Sequence, residues 1–196
     1  RILIGAIDHL SPSRVLEVGC GNGINLLLLA CRFPEIEFTG IELTNQGHRV
    51  ATRFQELPEL PKELQEYAPL PLPDKTAFKR IRFLQGTAAN LPFTDGSMDL
   101  VLTVLTVLAI EQMEQIRSNA LSEIARVTKR HTLMIEPFRD VNQKGWPRRN
   151  VVRRNYFQGS IDDLNSYGLE PQMAVTDFPQ EAFLKVCAVQ SAKYST

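Results

Sequence analysis

Residues 15–26 read Val15-Leu-Glu-Val-Gly19-Cys-Gly21-Asn-Gly23-Ile-Asn-Leu26: a short apolar run broken by one acid, three glycines at alternate positions, and the start of an apolar segment. Glycine lets a backbone turn sharply and lie close against a ligand, and a helix that follows such a turn aims unpaired N–H groups at it. Val15–Val18 therefore reads as a strand and the glycines as a ligand-binding turn. Asn22–Phe33 reads as a helix, apolar on nearly every side and ending before Pro34, as a helix buried against a sheet would. A second apolar run, Ile36–Leu43, completes a βαβ unit.

Working outward, Thr44 offers an N-cap for a helix carrying Val50, Ala51, Phe54 and Leu57 up to Pro58. Prolines then cluster at 58, 61, 69, 71 and 73 around an acidic LPKELQEY segment, so residues 57–80 read as an insertion without long regular elements. Strands are expected at Ile81–Leu84, Met98–Leu105 and Thr132–Ile135. Glu111–Lys129 is expected to be an amphipathic helix, with Met113, Ile116, Ala120, Ile124 and Val127 on one face. A short helix at Ser160–Tyr167 and strands at Gln172–Thr176 and Phe183–Gln190 close the chain. Strands alternating with helices define an α/β fold: one Rossmann-like, doubly wound domain over residues 1–196, with helices on both faces of a mostly parallel sheet.

Composition sets bounds on function. The 196 residues carry 22 basic and 22 acidic side chains and are 43 % hydrophobic, as soluble globular chains are. Charge-free runs such as Leu100–Ile110 fall well short of the ~20 apolar residues needed to span a bilayer. Three cysteines, Cys20, Cys31 and Cys187, without CxxC spacing argue against a disulfide framework and a structural zinc site, and for a reducing, cytoplasmic setting. The chain starts at Arg1, and Ile2–Leu10 lacks the pattern of a signal peptide. His9, His48 and His131 are expected to be solvated.

The chemistry concentrates around the glycines. A dinucleotide fingerprint needs GxGxxG, but Ile24 follows Gly23, and the Walker-type GxxxxGK[ST] is absent. Glu42, ending the second strand, falls beside the loop, because ligands of such sheets bind outside the carboxyl ends of the strands. A carboxylate there can hold both hydroxyls of a ribose, or cap the next helix. Glu17, an acid inside an apolar strand, needs a partner in the loop or in a ligand, since burying it unpaired is costly. Two acids and no basic residue in the loop suit a nucleoside with a cationic tail better than a pyrophosphate.

Four blocks resemble the class I S-adenosylmethionine-dependent methyltransferases: Glu17–Gly23 as ExGxGxG; Gly40-Ile-Glu42-Leu43; Gly86-Thr-Ala-Ala-Asn-Leu-Pro-Phe93 with Asp99-Leu-Val; and Ile124-Ala-Arg-Val127. The resemblance runs from Val15 to Gln190, and Leu91-Pro92-Phe93 is similar to the quinone and sterol methyltransferase branch. It implies a seven-stranded sheet with an antiparallel C-terminal strand and S-adenosyl-L-methionine as cofactor. By the same resemblance Glu17, Gly19, Cys20, Gly21, Asn22 and Gly23 take the methionine end. Glu42 and Leu43 take the ribose side, Thr87, Ala88 and Ala89 the adenine, and Thr103 joins the cofactor set. The chain departs from the family in having Thr87 in place of a frequent aspartate. It has neither histidine nor acid at Leu108 and Ala109, and Lys129-Arg130-His131 replaces a Pro-Gly-Gly turn, a change expected to touch only a surface loop.

Glu136, at the end of the fifth strand, and Tyr156 are the candidates for a general base; no metal site is expected. Arg139–Arg154 carries six basic residues against Asp140 alone, a local charge of +5, with Trp146, Tyr156 and Phe157 at hand. Residues 139–158 thus read as a substrate-side segment gripping a small anionic acceptor, or as a solvated loop. Nucleic acid is not expected for a chain with pI near 7.0. Two functions stay open: methyl transfer to a small molecule by in-line displacement, and a catalytically silent methyltransferase-like module acting as a protein partner. A nicotinamide-dependent oxidoreductase ranks behind both.

Overall fold

A computed structural model describes residues 1–110, 114–156, 159–176 and 184–194. The chain forms two compact units, Arg1–Ala88 and Ala89–Thr196. Among the described residues, neighbouring strands follow the order β3 (Arg82–Gln85), β2 (Glu37–Glu42), β1 (Arg14–Val18) in the first unit and β4 (Met98–Val104), β5 (Thr128–Glu136), β7 (Cys187–Lys193), β6 (Leu169–Val175) in the second.

In the first unit, helix α1 (Ile2–Leu10) precedes β1 (Arg14–Val18), α2 (Ile24–Arg32), β2 (Glu37–Glu42), α3 (Asn45–Phe54), the short α4 (Lys62–Gln65) and β3 (Arg82–Gln85). All three strands are parallel, with Val15 opposite Phe38 and Ile41 opposite Leu84. Val15, Leu16 and Val18 are fully buried on both faces of β1, which only a sheet covered on both sides allows. The proline-rich insertion has just α4 and a 3-10 turn, Ala77–Arg80, and is anchored by the buried Leu60 and Phe78. Helix α1 was not anticipated; it contributes one buried side chain, Ile7.

The second unit runs β4 (Met98–Val104), α5 (Glu114–Val127), β5 (Thr128–Glu136), α6 (Gly145–Arg153), a 3-10 turn Asp162–Tyr167, β6 (Leu169–Val175) and β7 (Cys187–Lys193). β4 and β5 are parallel, while β7 runs antiparallel to both β5 and β6. The expected helix residues Glu111 and Met113, together with Phe157 and Phe183, lie outside the described residues.

Two expectations are corrected. Lys129, Arg130 and His131 form no surface loop, because β5 starts directly where α5 ends. The hydroxyl of Thr128 donates to the Ile124 carbonyl at 2.6 Å, and the nearly buried Asp99 holds Lys129 Nζ at 3.8 Å and Arg130 Nη2 at 3.5 Å. The last strand also extends beyond Gln190: the small residues Ser191 and Ala192 carry little strand signal, yet pair with Thr132 and His131 of β5.

Candidate active site

The first unit brings the carboxyl ends of its strands side by side. The N–H groups of Gly19 and Cys20 donate to the Ile41 carbonyl at 2.8 and 3.1 Å, and that of Gly86 donates to the Glu42 carbonyl at 2.9 Å. Glu42 is held in one orientation by three donors. Its Oε2 accepts from Gly21 N at 3.0 Å, and its Oε1 accepts from Thr44 N at 2.9 Å and the Thr44 hydroxyl at 2.6 Å. The same hydroxyl accepts from Gly47 N at 3.1 Å and so caps α3. A carboxylate has about four lone-pair positions, which leaves Glu42 capacity for a further donor. Leu43, next to it, is 66 % exposed despite being apolar.

Glu17 is 1 % exposed. Its Oε1 accepts from Asn25 Nδ2 at 2.7 Å, whereas its buried Oε2 has no partner among the described residues. Burial pushes the carboxyl up to about 7, with the Asn25 bond pulling the other way. An unsatisfied buried polar atom costs on the order of 1–3 kcal/mol, a cost that a bound cation or N–H donor removes.

The loop glycines divide the work. Gly23 is needed for packing: at φ +79° a Cβ there would lie 2.7 Å from Phe83 Cζ. Gly21, at φ +55°, would meet nothing within 4 Å, so its missing side chain leaves open space beside Glu42. Cys20 contributes backbone only. Its thiol is buried and pushed up to about 12, by burial first and then by Glu17 and Glu42, which makes it inert as a nucleophile. Asn22 and Thr87 are exposed, and Ala88 is half-buried.

In the second unit, Leu105 N–H donates to the Ile135 carbonyl at 2.9 Å and joins the carboxyl ends of β4 and β5. Glu136 is fully buried. Its Oε1 accepts from Thr106 N at 2.9 Å and Val107 N at 3.0 Å, and its Oε2 accepts from Leu108 N at 3.1 Å. Burial pushes this carboxyl up to about 7, against those three N–H groups and the neighbouring Thr103 side chain. Glu136 thus holds the turn after β4 and is closed to solvent. Tyr156 is half-buried, and its hydroxyl takes a hydrogen bond from Arg154 Nη1 at 3.0 Å. Thr103 is buried within β4, and Ala89 is half-buried at the start of this unit.

The Ile124-Ala-Arg-Val block has a structural reason. Arg126 donates through Nη1 to the Phe93 carbonyl at 2.8 Å and Asp95 at 2.7 Å, and through Nη2 to the Leu91 carbonyl at 3.0 Å. Glu123 accepts from Leu91 N at 2.7 Å and pairs with Arg126 Nε at 2.6 Å. The two residues clamp the Leu-Pro-Phe segment to α5. Asn25 and the 106–108 turn are the participants that sequence reasoning missed. Asn25 left a signal, a lone amide early in an apolar helix, while a turn made of backbone N–H groups leaves none.

This glycine loop, with its two acids at the carboxyl edge of a parallel sheet, defines a nucleoside-binding α/β protein. Residues 16–135 match the methyltransferase domain family. The chain belongs to that family, and within it to the class I, S-adenosylmethionine-dependent methyltransferases. It is 34 % identical over 96 residues to phthiotriol/phenolphthiotriol dimycocerosates methyltransferase 1 of Mycobacterium ulcerans, covering 49 % of this chain and 28 % of that protein. It is 30 % identical over 116 residues to the fatty-acid O-methyltransferase of Mycolicibacterium smegmatis, covering 59 % and 33 %. The matched stretch is thus about a third or less of these relatives' length. The fold is shared with geranyl diphosphate C-methyltransferase from Streptomyces coelicolor A3(2), solved with S-adenosyl-L-homocysteine: TM-score 0.67, 14 % identity, 97 % of this chain and 74 % of that one. No helix among the described residues is long and apolar enough to cross a membrane.

Proposed function

We propose that the protein is an S-adenosylmethionine-dependent methyltransferase of a small anionic acceptor, working in the cytoplasm. The observation that carries the reading is the buried, unpartnered Oε2 of Glu17 beneath a glycine turn whose Gly21 borders open space. The cofactor's methionine end carries an ammonium and a sulfonium, the charges this acid suits, and Glu42 has lone pairs left for ribose hydroxyls. Gly19–Gly23 offer the backbone for close approach, Leu43 an apolar surface, and Thr87, Ala88 and Ala89 the adenine contacts. When bound, S-adenosylmethionine supplies an electrophilic methyl group that an acceptor takes by in-line displacement, so the work left to the chain is alignment. Such positioning is worth ~7–11 kcal/mol of a barrier.

Neither candidate base is well placed to take a proton. Glu136 spends both oxygens on the 106–108 turn, and Tyr156 accepts from a guanidinium. That favours an acceptor already ionised, such as a carboxylate, and the name of the fatty-acid O-methyltransferase relative points the same way. Glu136 then acts by positioning, through the turn it holds. Calorimetry with S-adenosylmethionine and S-adenosylhomocysteine tests the cofactor, and no heat at millimolar ligand defeats the reading. Transfer of a labelled methyl group to a panel of carboxylic acids, phenols and alcohols tests the acceptor. Donor binding without transfer to any of them would favour the catalytically silent module.

A further inference from the structure

Within the basic segment, α6 (Gly145–Arg153) is a helix with two distinct faces. In α6 the buried residue is Val151, 1 % exposed. Trp146, Arg149, Val152 and Arg153 recur at steps of three and four and lie on the other side. Trp146 is 67 % exposed, Val152 is 49 % exposed, and Arg149 and Arg153 are exposed between them. Lys144 and Arg154 continue the positive charge at the two ends of the helix, and Arg154 is tied to Tyr156. Among the described residues neither Arg149 nor Arg153 has a carboxylate within ion-pair distance. The helix is fastened to its unit by its approach. Asn142, buried, donates to the Phe138 carbonyl at 3.1 Å and the Lys185 carbonyl at 2.7 Å, and Asp140 accepts from Ile161 N at 2.8 Å.

We propose that this outer face of α6 is a docking surface for an anionic lipid bilayer. A helix that lies in a membrane interface puts an indole and aliphatic side chains into the headgroup and acyl boundary and flanks them with arginine; the face here has that make-up. Arginine and tryptophan also meet in nucleic-acid sites. Val152, however, has no ring to stack on a base, and the rest of the chain offsets the +5 of residues 139–154 to a net charge of zero. A local positive patch on a neutral chain is drawn to a charged plane within a Debye length, about 8–10 Å, without a broad basic field. The proposal does not depend on the methyltransferase reading.

The chain has one tryptophan, Trp146, so its emission reports this helix alone. The experiment is flotation of the full chain with vesicles of phosphatidylcholine, and of phosphatidylcholine mixed with phosphatidylglycerol, while tryptophan emission is recorded. Binding to the anionic vesicles only, weakened by salt and accompanied by a blue shift, is expected. Arg149→Gln with Arg153→Gln lowers the partition about thirtyfold, at roughly fivefold for each basic residue near the surface, and Trp146→Ser lowers it independently. Both sites are exposed, and unchanged circular dichroism and melting verify the fold. No flotation, flotation indifferent to the two arginines, or an unshifted emission overturns the proposal. So does an oligonucleotide that binds through the same arginines while the vesicles do not.

Discussion

Replacing Glu17 with glutamine separates the stability of the unliganded fold from donor recognition. Burial raises the folded carboxyl from 4.5 to about 7, so the fold holds this proton more tightly than the unfolded chain does. The contribution to stability is therefore whole below pH 4.5 and lost as pH climbs through 7. A shift of that size, at ~1.4 kcal/mol per pH unit, is worth roughly 3 kcal/mol in all, of which about 2–3 kcal/mol falls between pH 5 and pH 8. Glutamine is neutral throughout and keeps an oxygen for Asn25 Nδ2. Its amide nitrogen takes the place of the unpartnered Oε2, at a cost of about 1–3 kcal/mol that does not vary with pH. Urea unfolding without ligand, across that pH range, is the assay. The stability of the variant relative to the parent rises by about 2–3 kcal/mol from the acid to the alkaline end, whatever its starting value. Donor affinity moves the other way and falls about 10- to 100-fold as a charge-assisted contact is lost. A stability difference that stays constant with pH refutes the account of Glu17 as a carboxylate lacking a partner.

Gly21→Ala leaves the fold intact at a cost of ~1–2 kcal/mol for the left-handed backbone, because no atom opposes the new Cβ; calorimetry then shows weakened donor binding, and unchanged affinity removes Gly21 from the site. Arg126→Ala frees the Leu91–Asp95 segment at a cost of ~2–4 kcal/mol, for lost bonds to two carbonyls and two carboxylates; hydrogen exchange of the 91–95 amides against those of β4 locates the effect. Glu136→Gln presents an amide N–H₂ to one side of the 106–108 turn, where backbone N–H groups already point; turnover drops, donor affinity holds, and the pH–rate profile keeps its shape. A profile that loses its basic limb instead would return Glu136 to the role of proton acceptor.

The architecture was legible where the signal is local. Leu26–Cys31 is apolar all round and buried except for the half-buried Leu28, β1 is buried on both faces, and Thr44 caps α3 as its hydroxyl allowed. Long-range pairing was less legible. Nothing in Lys129-Arg130-His131 signals a strand, because Asp99, thirty residues earlier, makes the first two tolerable there. The loop acids were recognised, but their particular geometry was not. That Glu42 spends three bonds on Gly21 and Thr44, and that Glu17 keeps one oxygen free, depends on Gly21, Asn25 and Thr44 standing where only the folded chain puts them. Glu136 looked like a base because it ends a strand at the right edge; the N–H groups that occupy it come from a different strand's exit.

The strand order of the second unit bears on how the protein is made. β7 follows β6 in the sequence but lies between β5 and β6, and the Lys193 ammonium at its end reaches back to the carbonyls of Ala125 and Arg126. During synthesis β5 therefore waits, one ladder of its backbone unpaired, until some fifty residues more have emerged from the ribosome. Nascent chains stalled or cut before Cys187 display that ladder to any neighbour able to zip onto it, and chaperone demand should concentrate in this window.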